Sequence, residues 1–89
     1  MGYEQQNSII VYLEIVTPEK KLFAGDIKLI RLPGSKGSFE ILNMHAPIIS
    51  TLEKGQIKVV EESGSEQFFE VNRGIVECVD NNVIVLVDS

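Results

Sequence analysis

Residues 56–87 read QIKVVEESGSEQFFEVNRGIVECVDNNVIVLV, and this stretch decides the fold class. Its apolar residues recur at every second position within short segments, as the strands of a sheet with one buried face require. The Ser-Gly-Ser at 63–65 predicts a hairpin turn, the Arg-Gly at 73–74 interrupts the pattern, and the Asp-Asn-Asn at 80–82 predicts a second tight turn. The stretch therefore predicts four strands, at residues 56–61, 66–71, 75–79 and 83–87.

The N-terminal half of the chain repeats this pattern. From Ile9 onward the period is two, and Thr17-Pro18 ends the first strand because proline lacks the N–H that a strand ladder needs. Residues 19–25 are predicted as a connection of at most one helical turn, with Leu22 and Phe23 pointing inward. Further strands are predicted at residues 27–32, 39–42 and 48–52.

No stretch of ten or more residues has helical periodicity, so the pattern predicts an all-β fold. We expect a flattened β-sandwich or barrel of roughly eight to ten short, mainly antiparallel strands. A chain of 89 residues fits one small domain. Residues 1–8 are polar and aperiodic and are interpreted as a flexible leader or a cloning remnant, which assigns residues 9–89 to the domain.

Composition and charge narrow the function classes. Hydrophobic residues make up 44% of the chain, enough for a packed core, and its single cysteine excludes an internal disulfide. The chain has 13 acidic and 8 basic residues, and the resulting net charge of −5 argues against a nucleic-acid partner. The whole excess of negative charge lies in residues 46–89, and neither a secretory signal nor an apolar run long enough to span a bilayer is present.

Few residues could support catalysis. His45 lies in a turn between apolar strands, where it is interpreted as a hydrogen-bonding or contact residue, and Cys78 is interpreted as a buried apolar side chain. A small hydrolase or thiol-dependent enzyme that uses both residues is the catalytic alternative. No pair of histidines or cysteines has the spacing of a zinc site, so we expect no metal and no cofactor.

Residues 33–38 form a glycine-rich loop that superficially resembles a phosphate-binding loop. A strand follows it, however, whereas a phosphate-binding loop leads into a helix whose N–H groups hold the anion. The pattern instead predicts a tight exposed loop, and such loops on a rigid scaffold often make protein contacts. The residues alone thus predict a binding or scaffold module without chemistry of its own.

Four segments carry a resemblance to a known family. They are Leu13 to Gly25, with its Phe-Ala-Gly end; the glycine-rich loop and strand at 33–42; the His-Ala-Pro turn at 44–49; and the closing hairpin at 71–87. In this order and spacing they are similar to the N-terminal β-sandwich domain of the epsilon subunit of rotary F-type ATP synthases. The His-Ala-Pro turn is the most specific of the four segments.

The sequence departs from the family pattern at three positions, where Glu40, Met44 and Arg73 stand in place of glycines that many members have. In many members two helices also follow the sandwich, whereas this sequence closes at Ser89. We therefore expect neither the inhibition of ATP hydrolysis nor the ATP binding that the family's helices provide.

The resemblance implies a non-catalytic central-stalk subunit that binds the gamma subunit and the c-ring and couples ion translocation to ATP synthesis. It implies a peripheral location on the cytoplasmic side of the bacterial inner membrane, or the equivalent matrix or stromal side, with membrane association only through the complex. An unrelated β-sandwich adaptor is the alternative. The c-ring-facing candidates that the resemblance implies are Gly34, Ser35, Lys36, Gly37, Ser38, His45, Ala46 and Pro47.

Several predicted strands carry apolar residues on both faces: Ile48-Ile49, Val59-Val60, Phe68-Phe69 and residues 83–87. Two interpretations fit this pattern. One face could pack the core while the other rests on the gamma subunit, or the strands could be buried on both faces within the domain.

Overall fold

The computed structural model describes residues 10–43 and 46–88. Within them the chain forms strands only, which confirms the all-β prediction; the predicted leader at residues 1–8 lies outside the described residues. The strands are β1 Val11–Val16, β2 Lys21–Gly34, β3 Gly37–Leu42, β4 Ile48–Leu52, β5 Gly55–Glu61, β6 Glu66–Val71, β7 Arg73–Val79 and β8 Asn82–Asp88.

The strands form one strongly curled sheet in the order β1-β8-β7-β4-β2-β5-β6, with β3 beside β2. The long strand β2 connects the two layers of this sheet. Its first half pairs with β1 and its second half with β3 and β5, while Gly34 at its end pairs with Leu52 of β4. We call β4, β7, β8 and β1 the first layer, and β6, β5, β3 and residues 27–34 of β2 the second layer. Every pairing is antiparallel except that of β1 with β8.

The core lies between the two layers and is almost entirely aliphatic. Strict alternation along the strands supplies it: Val83, Val85 and Val87 of β8 point inward and their neighbours point outward. Phe23 from the start of β2 meets Phe69 of β6 edge to face, with ring centroids 6.2 Å apart, an arrangement that aromatic pairs favour. No polar or charged side chain in the described part of the chain is buried.

One predicted boundary is wrong. Residues 21–25 are not a connection but the beginning of β2, because they pair along β1 in a hairpin. The turn is closed by Thr17, whose N–H donates to the carbonyl of Lys20 at 2.8 Å and whose hydroxyl accepts from the N–H groups of Glu19 and Lys20. The inward orientation predicted for Leu22 and Phe23 is confirmed, since both pack against the core.

The turns predicted in the C-terminal half are confirmed, with one difference at Arg73-Gly74. Asp80 and Asn81 take positive φ angles of 52° and 63°, the mirror-image turn that suits a two-residue hairpin. Arg73 and Gly74 do not interrupt the sheet but open β7, opposite Asp88 and Val87 of β8.

Candidate protein-binding surface

The outer side of the first layer carries exposed apolar side chains. We call Tyr12, Ile49, Ile75, Val79, Ile84 and Leu86 the outer apolar face. They arise from the strand period, since Val76, Cys78, Val83 and Val85 turn inward and leave their neighbours outside. Ile49 is 69% exposed and Leu86 is 50% exposed, so the described part of the chain does not cover them.

Strand register joins part of this face into one row. Leu86 stands opposite both Ile75 of β7 and Val16 of β1, and Ile75 stands opposite Thr51 of β4. Side chains directly opposite each other on one face have Cβ atoms about 5 Å apart, so these four residues form an unbroken row across the layer. Sequence periodicity indicates the outward face of each strand, but only the pairing shows that the four faces join.

An open groove of about 510 Å³ adjoins this row where β1, β4 and β8 end and β7 begins. Its apolar lining includes Val16, Pro18, Ile75 and Leu86, all close to the row. Its rim carries the exposed ion pair of Arg73 and Asp88, with Nε and Oδ2 3.0 Å apart. An apolar centre with a charged rim is typical of protein interfaces.

The exposure of these residues decides between the two interpretations of the strands that are apolar on both faces. Burial on both faces is wrong for Ile49, Phe68, Ile84 and Leu86, each of which is at least 43% exposed. The apolar outer positions therefore face solvent or a partner. The sequence of residues 83–87 already showed apolar side chains on both faces of this strand. Periodicity alone, however, does not tell what covers the second face.

The tip of the β2–β3 hairpin, residues 34–38, is held in place by β4. The Ser35 N–H donates to the Thr51 carbonyl at 3.1 Å, and the hydroxyls of the two residues lie 2.9 Å apart. Gly37 has a φ of 123°, which only glycine adopts readily. The predicted tight exposed loop is therefore the tip of a hairpin that is hydrogen-bonded to β4. Its residues Ser35, Lys36 and Ser38 are all exposed.

The second predicted contact segment lies at the other end of β4. Ala46 and Pro47 are exposed and lead directly into Ile48, whereas the hairpin tip meets β4 at Thr51 and Leu52. Four residue steps of a strand, roughly 13 Å, separate these two points. Residues 48–51 and 34–39 line a common open cavity, and His45 lies outside the described residues.

Cys78 is fully buried in β7, opposite Ile48 of β4 and Val83 of β8. Burial raises the pKa of its thiol, so the reactive thiolate is disfavoured. The interpretation of Cys78 as a core residue is confirmed. Within the described ranges, no three His, Cys, Asp or Glu side chains are grouped so that they could hold a metal ion.

We expect Cys78 in the folded domain at neutral pH to react with iodoacetamide about 10³-fold more slowly than in urea-unfolded protein, because reaction requires the sheet to open. Mass spectrometry of quenched samples measures both rates. The control is a Cys78→Ala, Lys54→Cys variant, whose exposed cysteine should react at similar rates in both states. Rapid alkylation of folded Cys78 would contradict its role as a core residue and revive the thiol-enzyme alternative.

Two layers of mainly antiparallel strands around one aliphatic core, with an apolar face left uncovered, define a small β-sandwich domain with a surface suited to protein contacts. Residues 10–89 match the family described as ATP synthase, Delta/Epsilon chain, beta-sandwich domain. The chain belongs to this family, which confirms the resemblance and excludes an unrelated sandwich. In the part of the chain that the structure describes, no helix is long and apolar enough to cross a membrane.

Similar proteins agree with this assignment. The chain is 41% identical over 79 residues to the ATP synthase epsilon chain of Campylobacter fetus subsp. fetus (strain 82-40), covering 89% of this chain and 61% of that protein. It thus spans about three-fifths of the length of this relative.

Two solved structures share the fold. One is a chain of the Euglena gracilis mitochondrial ATP synthase, from a cryo-EM structure of OSCP/F1/c-ring in rotational state 1, with a TM-score of 0.83 and 16% identity over 89% of this chain and 51% of that one. The other is from the Tetrahymena thermophila mitochondrial ATP synthase central stalk and c-ring, with a TM-score of 0.72 and 22% identity over 88% of this chain and 63% of that one.

Proposed function

We propose that this domain is a non-catalytic component of the central stalk of a rotary F-type ATP synthase, where it binds the gamma subunit and the c-ring. The single observation that carries the proposal is the outer apolar face on a domain of this family. A face of this kind on a small domain favours association with another protein. In that role the domain rotates with the stalk and couples ion translocation to ATP synthesis.

The gamma subunit is the proposed occupant of the outer apolar face. The row of Val16, Leu86, Ile75 and Thr51 supplies a mostly apolar strip, and Ile49 and Ile84 lie in the next row, on either side of Glu77. Burial of such side chains from water is the main favourable term in protein association, at about 25 cal/mol per Å² of apolar surface. The face is built on strands of the rigid core, so little entropy is lost when it docks.

The c-ring is the proposed partner of the hairpin tip, Gly34 to Ser38, and of the turn that contains His45, Ala46 and Pro47. Short polar side chains and Lys36 suit contact with polar loops at a membrane surface. The bonds of Ser35 to Thr51 fix the tip before contact, which lowers the entropy cost of binding. Membrane association then occurs only through the complex, on the cytoplasmic side in a bacterium or the equivalent matrix or stromal side.

The test is assembly from purified parts. We expect the domain to co-elute with the gamma subunit from the same organism in size-exclusion chromatography at low salt, and the pair to co-elute with the detergent-solubilised c-ring. Serum albumin in place of gamma controls for non-specific adhesion of the apolar face. Failure to co-elute with gamma would overturn the gamma assignment, and co-elution with gamma but not with the ring would overturn the assignment of the hairpin tip.

A further inference from the structure

The β5–β6 hairpin ends the sheet with an open edge. Among the described strands β6 pairs only with β5, and its six residues are paired without a bulge. Natural proteins usually protect such an edge with proline, a bulge or charge, because its unpaired backbone groups can accept another strand. Here β6 has neither proline nor bulge, and its protection is the charge of Glu66 and Glu70, so the side chains of the edge decide which strand can pair with it.

The register shows which backbone groups are open. The Glu61 N–H donates to the Ser65 carbonyl at 2.8 Å, so residues 65, 67, 69 and 71 direct their backbone groups toward β5. The alternate residues Glu66, Phe68 and Glu70 direct their N–H and carbonyl groups away from β5, along the open edge. The side chains of these same three residues lie together on the outer side of the second layer.

These side chains are an exposed phenylalanine between two glutamates. Phe68 is 51% exposed, and Glu66 and Glu70 flank it two residues away on each side. The Nζ of Lys58 lies 3.6 Å from the Oε2 of Glu66, which forms an ion pair. Glu70 instead accepts a hydrogen bond from the uncharged amide Nε2 of Gln56, at 3.1 Å. The hairpin from Gly55 to Val71 has four acidic residues and one basic residue, so the edge lies in a negative field.

Charge disfavours a second copy of this chain as the occupant. In the antiparallel register that uses all three outward residues, Phe68 of the two copies would be opposite each other. Each Glu66 would then face the other copy's Glu70, and like charges directly opposite destabilise a strand pair. A partner strand with positive side chains opposite Glu66 and Glu70 would instead be stabilised, because opposite charges would face each other in the same geometry.

We propose that the free edge of β6 binds an extended basic strand of a partner protein, with Lys or Arg opposite Glu66 and Glu70 and an apolar residue opposite Phe68. The backbone groups of the edge supply hydrogen bonds, and the three side chains supply the specificity. This site lies on the second layer and does not depend on the proposed binding of gamma or the c-ring. It assigns a role to the acidic C-terminal half of the chain.

The test uses β6 of a lysine variant of this same chain as the basic strand, so the geometry of that strand is known. A Glu66→Lys, Glu70→Lys variant mixed with the unaltered domain should form a heterodimer, with an association constant at least about tenfold above that of either protein alone. Sedimentation equilibrium measures it, and added salt should weaken it. A Glu19→Lys, Glu53→Lys variant, with the same change in net charge outside β6, should not associate.

Amide exchange locates the contact. In ¹⁵N-labelled unaltered domain, the amides of Glu66, Phe68 and Glu70 should become protected in the mixture, while those of Gln67 and Phe69 should stay unchanged. Adding Phe68→Pro to the lysine variant removes one outward N–H and leaves the pairing with β5 intact, so it should abolish the heterodimer while far-UV circular dichroism is retained. No heterodimer, or protection without this alternation, would overturn the proposal.

Discussion

Replacing Gly74 with alanine is expected to destabilise the domain by about 3 kcal/mol and to lower its Tm by about 15 °C. A Cβ at this position would lie 2.4 Å from the carbonyl oxygen of Leu86 and 3.2 Å from a methyl group of Val87. The first of these atoms belongs to the backbone of the adjacent strand. The clash can therefore be relieved only if β7 and β8 move apart. For a domain of this size that is a large fraction of the total stability.

Gly25→Ala is the matched control, because it makes the same change in another strand of the same sheet. There the new Cβ would meet only the Phe23 ring, at 3.6 Å, an ordinary contact. We expect its free energy of unfolding to stay within about 0.5 kcal/mol of the unaltered domain or to rise slightly. Urea unfolding followed by far-UV circular dichroism measures both, and equal losses for the two variants would contradict the role of the β7–β8 approach.

The strands themselves could be predicted from local pattern. The bounds predicted for β4 and β6, residues 48–52 and 66–71, are those of the structure, because alternation and flanking turn residues mark both ends. The start of β2 could not be predicted in this way. Glycine at position 25 indicates a turn locally, and only the pairing with Leu13 of β1 makes it a strand residue.

The candidate surface was only partly predictable, for a related reason. Alternation showed that residues 83–87 are apolar on both faces, but the partners of each face depend on pairings between distant segments. The parallel pairing of β1 with β8, which places Val16 beside Leu86, joins residues about 70 positions apart, and nothing local indicates it. The glycine-rich loop was found from its composition, whereas its attachment to Thr51 is a tertiary contact that composition does not show.

The central test of the proposed function is the charge introduced by Leu86→Glu. Leu86 lies in the middle of the row that joins Val16, Ile75 and Thr51, where interfaces are most sensitive to substitution. We expect affinity for the gamma subunit to fall about 100-fold or more, since a buried, unpaired carboxylate would replace an apolar contact. The fold should tolerate the change because half of the side chain is already exposed.

Leu42→Glu is the matched control for this variant. Leu42 is 48% exposed, close to the 50% of Leu86. Its replacement by glutamate makes the same chemical change on the second layer. Isothermal titration calorimetry with purified gamma should show an affinity within about threefold of the unaltered domain for Leu42→Glu. If instead Leu42→Glu weakens binding and Leu86→Glu does not, the gamma subunit binds the second layer, and the outer apolar face must have another occupant.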